Sequence, residues 1–142
     1  MTTAHASCVL MGRSAVLIRG PSGSGKSRLA CALIDGSAGT ARLVADDRVH
    51  LFAAHGRLVA RAPEPVAGRI EVRGFGIRTV AHEPLALVGL VVDLASADAA
   101  RMPEDAAGET EIAGVKLPRL PGAADEDALA PVLAAIHALT QA

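Results

Sequence analysis

Gly20-Pro21-Ser22-Gly23-Ser24-Gly25-Lys26-Ser27 matches the phosphate-binding loop pattern G-x-x-x-x-G-K-[ST] at every fixed position. Its glycines let the backbone curl so that successive N–H groups point at phosphate oxygens. In this pattern Lys26 reaches the outer phosphates and the Ser27 hydroxyl ligates Mg²⁺. The flanks agree with it. Ala15-Val16-Leu17-Ile18 is a short apolar run suited to a buried strand, and Leu29, Ala30, Ala32, Leu33 and Ile34 follow with helical spacing. The loop would therefore hold its phosphates at a helix N-terminus, where backbone donors and the helix dipole favour anions. The chain is read as a binder of a nucleoside triphosphate through Gly20, Pro21, Ser22, Gly23, Ser24, Gly25, Lys26 and Ser27.

Working outward, residues 6–11 form a strand that turns at Gly12-Arg13 into a second strand, 14–19, a hairpin delivering the chain to the loop. The helix runs from Gly25 to about Ile34 and stops at Asp35-Gly36. Ala41-Arg42-Leu43-Val44-Ala45 is a strand ending in the acidic pair Asp46-Asp47. Residues 49–52 and 58–60 alternate around a turn as a second hairpin. Pro63, Pro65 and Gly68 break the chain before the run Arg69 to Ile77. Leu85 to Leu94 is the most apolar strand and belongs in the middle of the sheet. Residues 95–110 read as an exposed loop, Ile112 to Leu117 as a strand closed by Pro118 and Pro121. A last helix starts at Asp125-Glu126-Asp127, with Leu129, Val132, Leu133, Ile136 and Leu139 as its apolar stripe. Hairpins among the strands predict a mixed sheet in one α/β domain over residues 1–142.

Composition excludes several classes. Of 142 residues 51% are hydrophobic, but Trp and Tyr are absent and Phe52 and Phe75 are the only aromatic rings, so Ala, Val and Leu must build the core. A formal net charge of −1 offers no electrostatic case for nucleic acid or an anionic membrane. No apolar run approaches the ~20 residues that span a bilayer. Met1-Thr2-Thr3-Ala4-His5 lacks a signal-peptide layout, which points to the cytoplasm. Cys8 and Cys31 have no metal spacing and read as buried thiols. His50, His55, His82 and His137 form no ligand pattern, and Lys116 and the scattered arginines read as surface.

Phosphoryl transfer also needs a metal ligand and a group that handles the nucleophile's proton. Asp46 and Asp47 end a strand some twenty residues after the loop, where a second acidic motif serves phosphate-loop enzymes. Glu71, in Glu71-Val72-Arg73-Gly74-Phe75-Gly76-Ile77, shares one face with Arg73 if that segment is extended. His5 precedes the first strand.

Together, His5-Ala6-Ser7, Gly20 to Ser27, Leu43-Val44-Ala45-Asp46-Asp47 and Glu71 to Ile77 resemble, in order and near spacing, the catalytic C-terminal domain of the HPr kinase/phosphorylases, without that family's preceding domain. The resemblance implies a P-loop kinase-like mixed sheet of the HPr kinase/PEP carboxykinase type, with a P-loop helix and a C-terminal helix. It implies an ATP- and Mg²⁺-dependent serine kinase acting on the phosphocarrier HPr of a phosphotransferase system, assembled as a homo-oligomer, a hexamer in the family. Residue by residue it implies that Lys26 grips phosphate and that Ser27 with Glu71 holds Mg²⁺. Asp46 would accept the proton of the substrate serine, His5 would partner the acidic pair and Asp47 would support them. Departures accompany it. The family commonly has Glu after the loop serine, where this chain has Arg28. Its catalytic-Arg loop is shortened to Thr79-Val80-Ala81-His82-Glu83-Pro84, with only Arg78 nearby. Its dephosphorylation segment appears as Pro118-Arg119-Leu120-Pro121-Gly122-Ala123 with the arginines displaced. The expectation is a retained kinase direction and a weakened phosphorylase direction, the alternative being a nucleotide-binding regulator with little transfer. A small-molecule kinase is disfavoured, since the chain leaves little room for a lid and a further pocket.

Overall fold

The computed structural model describes residues 1–63, 68–97, 108–122 and 127–141. In chain order the elements are β1 (Thr2–Ala4), β2 (Ala6–Met11), β3 (Ser14–Arg19), α1 (Lys26–Asp35), β4 (Ala41–Ala45), β5 (Val49–Ala54), β6 (Arg57–Arg61), β7 (Arg69–Val72), β8 (Gly76–Thr79), β9 (Leu85–Asp93), β10 (Glu109–Ile112), β11 (Val115–Pro121) and α2 (Leu129–Gln141). The main sheet is mixed, in the order β1-β5-β6-β9-β3-β2-β4. β9 is central as predicted. One of its edges pairs parallel with β3, and the other is shared by antiparallel β6 along Leu85–Leu87 and parallel β11 along Val91–Asp93.

Side chains alternate across this sheet between two cores. Ala15 and Leu17 of β3 enter one, Val16 and Ile18 the other, as a period of two requires. The first core lies between β2, β3, β4, β5, β6 and β9. The second is covered by Leu29, Ala30 and Leu33 of α1, by Val132 of α2 and by Ile70 of β7. β9 switches parity along its length: Ala86 and Val88 face the first core, then Val91 does, while Leu90 and Val92 face the second. The cause is a bulge, because the register against β3 shifts between Ala15↔Val88 and Val16↔Leu90, leaving Gly89 as the extra residue.

Several expectations are corrected. The run 69–77 is not one extended segment but the separate hairpin β7–β8, with Arg73 in its turn, so Glu71 and Arg73 do not share a strand face. Ile112 to Leu117 is broken by a tight turn at Ala113 (φ +52) and Gly114 (φ +80) into β10 and β11. His55 (φ +52) and Gly56 (φ +76) join β5 to β6 in the same way, both residues taking the positive φ that two-residue hairpins demand. Pro118 does not close β11, which continues to Pro121. The strand changes partners there, from β10 up to Pro118 to β9 from Arg119 onward, so the missing N–H falls where pairing passes from one edge to the other. In α2, Val132 is buried but Leu133 and Leu139 are exposed, and the packed stripe is Ala128, Leu129, Val132, Ala135 and Ile136. Asp127 caps this helix, its carboxylate accepting the Leu129 N–H at 3.0 Å. Asp125 and Glu126, and most of the loop expected over 95–110, lie outside the described residues. β1 was not foreseen. It pairs with β5 and sets His5 between two sheet strands.

Candidate functional site

The phosphate loop joins β3 to α1, as the apolar run and the helical spacing around it require. Gly20 is obligatory by space: a Cβ there would lie 2.5 Å from Ser24 Oγ and 3.1 Å from both Cβ and the carbonyl oxygen of Leu94. Gly25 caps α1 at φ +99 with no side-chain hydrogen bond to the helix end, so the first-turn amides keep no side-chain partner. Ser24 Oγ is buried with no partner. An uncapped helix start, a backbone pressed too close for a Cβ and an unmet buried hydroxyl are the features of a cradle for an anion. Lys26 lies along the loop, its Nζ donating to the carbonyls of Gly20 (2.8 Å) and Pro21 (3.2 Å).

Asp46, at the end of β4, gathers the rest. It is 6% exposed, and its Oδ1 accepts both the Ser27 hydroxyl (2.8 Å) and the Ser7 hydroxyl (2.7 Å). Its Oδ2 accepts the backbone N–H of Glu71 at 3.2 Å. One carboxylate thus joins the phosphate loop, β2 and the β7–β8 hairpin. Asp47 points the other way. Its φ of +71 and the Arg48 N–H to Asp46 carbonyl bond (2.8 Å) make a tight turn of the positive-φ γ type, strained for any residue with a Cβ. That reversal leaves the Asp47 side chain 81% exposed, beside His5 (76% exposed) at 3.8 Å between Nδ1 and Oδ1. The separation is longer than a direct hydrogen bond. The structure thus sets Ser27 and the backbone of Glu71 against Asp46, and His5 beside Asp47.

The hairpin carrying Glu71 is closed at its base by the Val80 N–H to Gly68 carbonyl bond (2.9 Å) and docked at three points: the Asp46 bond, buried Ile70 and a bidentate pair from Arg78 to Asp35 of α1 (2.7 and 3.1 Å). Arg78 is committed to that clamp, which holds Asp35 below the usual carboxylate range. The segment after β8 is not a free loop either. Leu43 of β4 donates to Ala81 (3.1 Å) and accepts from Glu83 (3.0 Å), stitching it to the sheet edge.

Sequence reading missed two contributors. Ser7 is fully buried on the α1 side of β2, two residues before Val9. A lone hydroxyl in an apolar strand was its available signal. The second is the charge cluster behind the loop, where Asp93 accepts two bonds from Arg19 (2.7 and 2.8 Å), the residue before Gly20, and a short one from Arg119. Burial pushes the Asp93 carboxyl up, but hydrogen bonds from the two guanidiniums outweigh it and hold the group below its ordinary range. Leu94 N–H to Arg19 carbonyl (2.8 Å) completes the tie between loop entrance and β9.

Oxygen side chains at Ser27, Asp46 and Glu71 are the donor type that suits a small divalent cation such as Mg²⁺. No cluster of three His, Cys, Asp or Glu side chains with metal spacing occurs among the described residues. No described helix is long and apolar enough to cross a membrane.

The profile of the HPr Serine kinase C-terminal domain matches residues 1–120. The chain belongs to that family. Relatives within it include the HPr kinase/phosphorylase of Clostridium beijerinckii, 41% identical over 76 residues, or 54% of this chain and 24% of that protein. The HPr kinase/phosphorylase of Clostridium perfringens is 45% identical over 75 residues, 53% of this chain and 22% of that one. The aligned part of the chain thus spans about a quarter of the length of these relatives. Among solved structures, the Hpr(Ser) kinase/phosphatase from Coxiella burnetii superposes with a TM-score of 0.79 at 27% identity, over 99% of both chains. The mixed sheet with two helices is the HPr kinase fold, and the loop, acidic pair and Glu71 hairpin described above all fall within the matched residues.

Proposed function

We propose that this chain is a protein-serine kinase that uses ATP and Mg²⁺ to phosphorylate HPr, the phosphocarrier of a phosphotransferase system. One observation carries the reading: the Asp46 carboxylate joins the phosphate-loop serine, β2 and the Glu71 hairpin within 3.2 Å. Lys26, released from the loop carbonyls, would neutralise phosphate charge, and Ser27 with Glu71 would hold the cation. Bound Mg²⁺ would offset charge on the transferring phosphoryl oxygens. The serine oxygen bonds to the terminal phosphorus as the bond to the bridging oxygen breaks, and its proton passes to a carboxylate of the acidic pair.

Within the pair the geometry favours a reassignment. The Asp46 oxygens are already engaged by three donors in a buried position, whereas Asp47 is open to an incoming hydroxyl. In this reading Asp47 accepts the proton, with His5 beside it, and Asp46 organises the loop and the cation side, the reverse of the expectation from sequence. The chain acts as one catalytic unit over residues 1–142, in the cytoplasm, as a homo-oligomer and without nucleic acid or membrane. Its phosphorylase direction is weakened, because the arginines of the 118–123 segment are displaced and Arg119 is spent on Asp93.

The test is incubation with ATP, Mg²⁺ and purified HPr, followed by intact mass and site mapping. A phosphoserine on HPr supports the reading; bound ATP with unmodified HPr removes it. Phosphate-driven removal of phosphoserine at a rate matching the forward reaction removes the directional part. A second reading, a nucleotide-occupied regulator with little transfer, is favoured by one observation: Arg78, the arginine nearest the shortened loop in sequence, is paired with Asp35 of α1.

A further inference from the structure

A second cation stands at the phosphate loop beside Lys26. Arg28 is in the first turn of α1, and its side chain leans toward the helix N-terminus, as helical side chains do, which sets its guanidinium against Gly25 at the end of the loop. A Cβ on Gly25 would lie 3.0 Å from its Nη2, 3.5 Å from Nε and 3.7 Å from Cζ, so the guanidinium lies directly on the glycine that caps the helix. Among the described residues no side chain pairs with it, whereas Arg19, Arg42, Arg78 and Arg119 each have a carboxylate. The first turn of α1 contains no acid and Gly25 supplies no side-chain cap.

This placement is electrostatically unfavourable in the bare chain. The N-terminus of a helix carries the positive end of its dipole, and a cation in the first turn is repelled by it and, here, by neighbouring Lys26. An anion in the loop reverses the sign, because the same guanidinium then gains a charge-assisted, potentially bidentate partner. The buried Ser24 hydroxyl, without a partner, is a second unmet polar group in the same loop. We propose that Arg28 is a second phosphate-gripping residue, which contacts the polyphosphate chain of the nucleotide and supplies charge that Arg78 cannot. The proposal rests on the nucleotide-binding part of the function proposed above.

The test uses the full chain and the variants Arg28→Gln and Arg28→Lys, following thermal midpoint and affinity with Mg-ATP and, separately, with tripolyphosphate. Arg28→Gln is expected to leave the ligand-free midpoint unchanged or raised, since a repulsion is removed. It should weaken Mg-ATP binding by about ten- to a hundredfold, the worth of a hydrogen bond between charged groups. Tripolyphosphate should lose affinity in parallel, and Arg28→Lys, which keeps the charge, should recover much of it. Wild-type affinity in Arg28→Gln overturns the proposal, as does a lowered ligand-free midpoint, which would make Arg28 structural. A loss confined to ATP with tripolyphosphate unaffected also overturns it. A wild-type chain that responds to neither ligand overturns this proposal and the function beneath it together.

Discussion

Asp46 and Asp47 are neighbours in sequence with opposite environments, and the φ of +71 at Asp47 is what separates them. The reversal at Asp47 leaves one carboxylate buried among three donors and the next in solvent. Two predictions belong here. Asp46→Ala strands the buried Ser7 hydroxyl, so stability should fall by about 1–3 kcal/mol, read by urea denaturation. Asp47→Gly removes the exposed carboxylate but relieves a positive φ, which for a residue with a Cβ costs on the order of 1 kcal/mol or more. It should therefore abolish phosphoryl transfer to HPr while unfolding at no lower urea concentration than wild type. Retained transfer in Asp47→Gly would return the proton-acceptor role to Asp46.

The β7–β8 hairpin is the element on which the site most depends, since it alone brings Glu71. It pairs with no strand of the main sheet, so its place is set by Ile70 in the second core, by the amide bond to Asp46 and by the Arg78 clamp on α1. Arg78→Ala should leave the affinity for tripolyphosphate intact but raise the Mg²⁺ concentration for half-maximal transfer several-fold, because the hairpin loses its anchor on α1 opposite Ile70. Exchanging the charges, Asp35→Arg with Arg78→Asp, should restore part of the loss. Unchanged Mg²⁺ dependence in the single variant would show that the apolar dock suffices. The cluster at Asp93 plays the corresponding role for the loop entrance. Asp93→Ala leaves Arg19 and Arg119 facing each other without their shared partner, and should cost on the order of 2 kcal/mol or more.

Across the whole molecule, pH dependence follows from two groups with shifts of opposite consequence. Burial pushes the Cys8 thiol from 9.0 up to about 12. The unfolded chain therefore releases that proton first, and the stability tied to neutral Cys8 is complete below pH 9 and lost as pH rises from there toward 12. Unfolding free energy should fall in this window by up to ~1.4 kcal/mol per pH unit on account of Cys8, and Cys8→Ala should flatten that part of the profile. Asp93 acts at the other end. Its carboxyl is held below the ordinary range, so its contribution is present above that range and disappears as pH falls through the folded value.

The amino-acid sequence by itself determined the elements whose rule is local. The phosphate loop, the strands on either side of it and the helix after it follow from glycine spacing and apolar periodicity, as do β4, the β5–β6 hairpin and the central place of β9. Where the rule is not local, reading stopped short. The Gly89 bulge flips the faces of β9 inside an unbroken apolar run, and the turn at Ala113-Gly114 divides what reads as one strand, because neither leaves a mark on hydrophobic pattern alone. The site shows the same division. Motif spacing named Lys26, Ser27, Asp46 and Asp47, and the family resemblance added roles for Glu71 and His5. Which carboxylate is buried and which arginines are spent on carboxylates depended on partners 19 to 74 residues away, joined only when the sheet closed around its two cores.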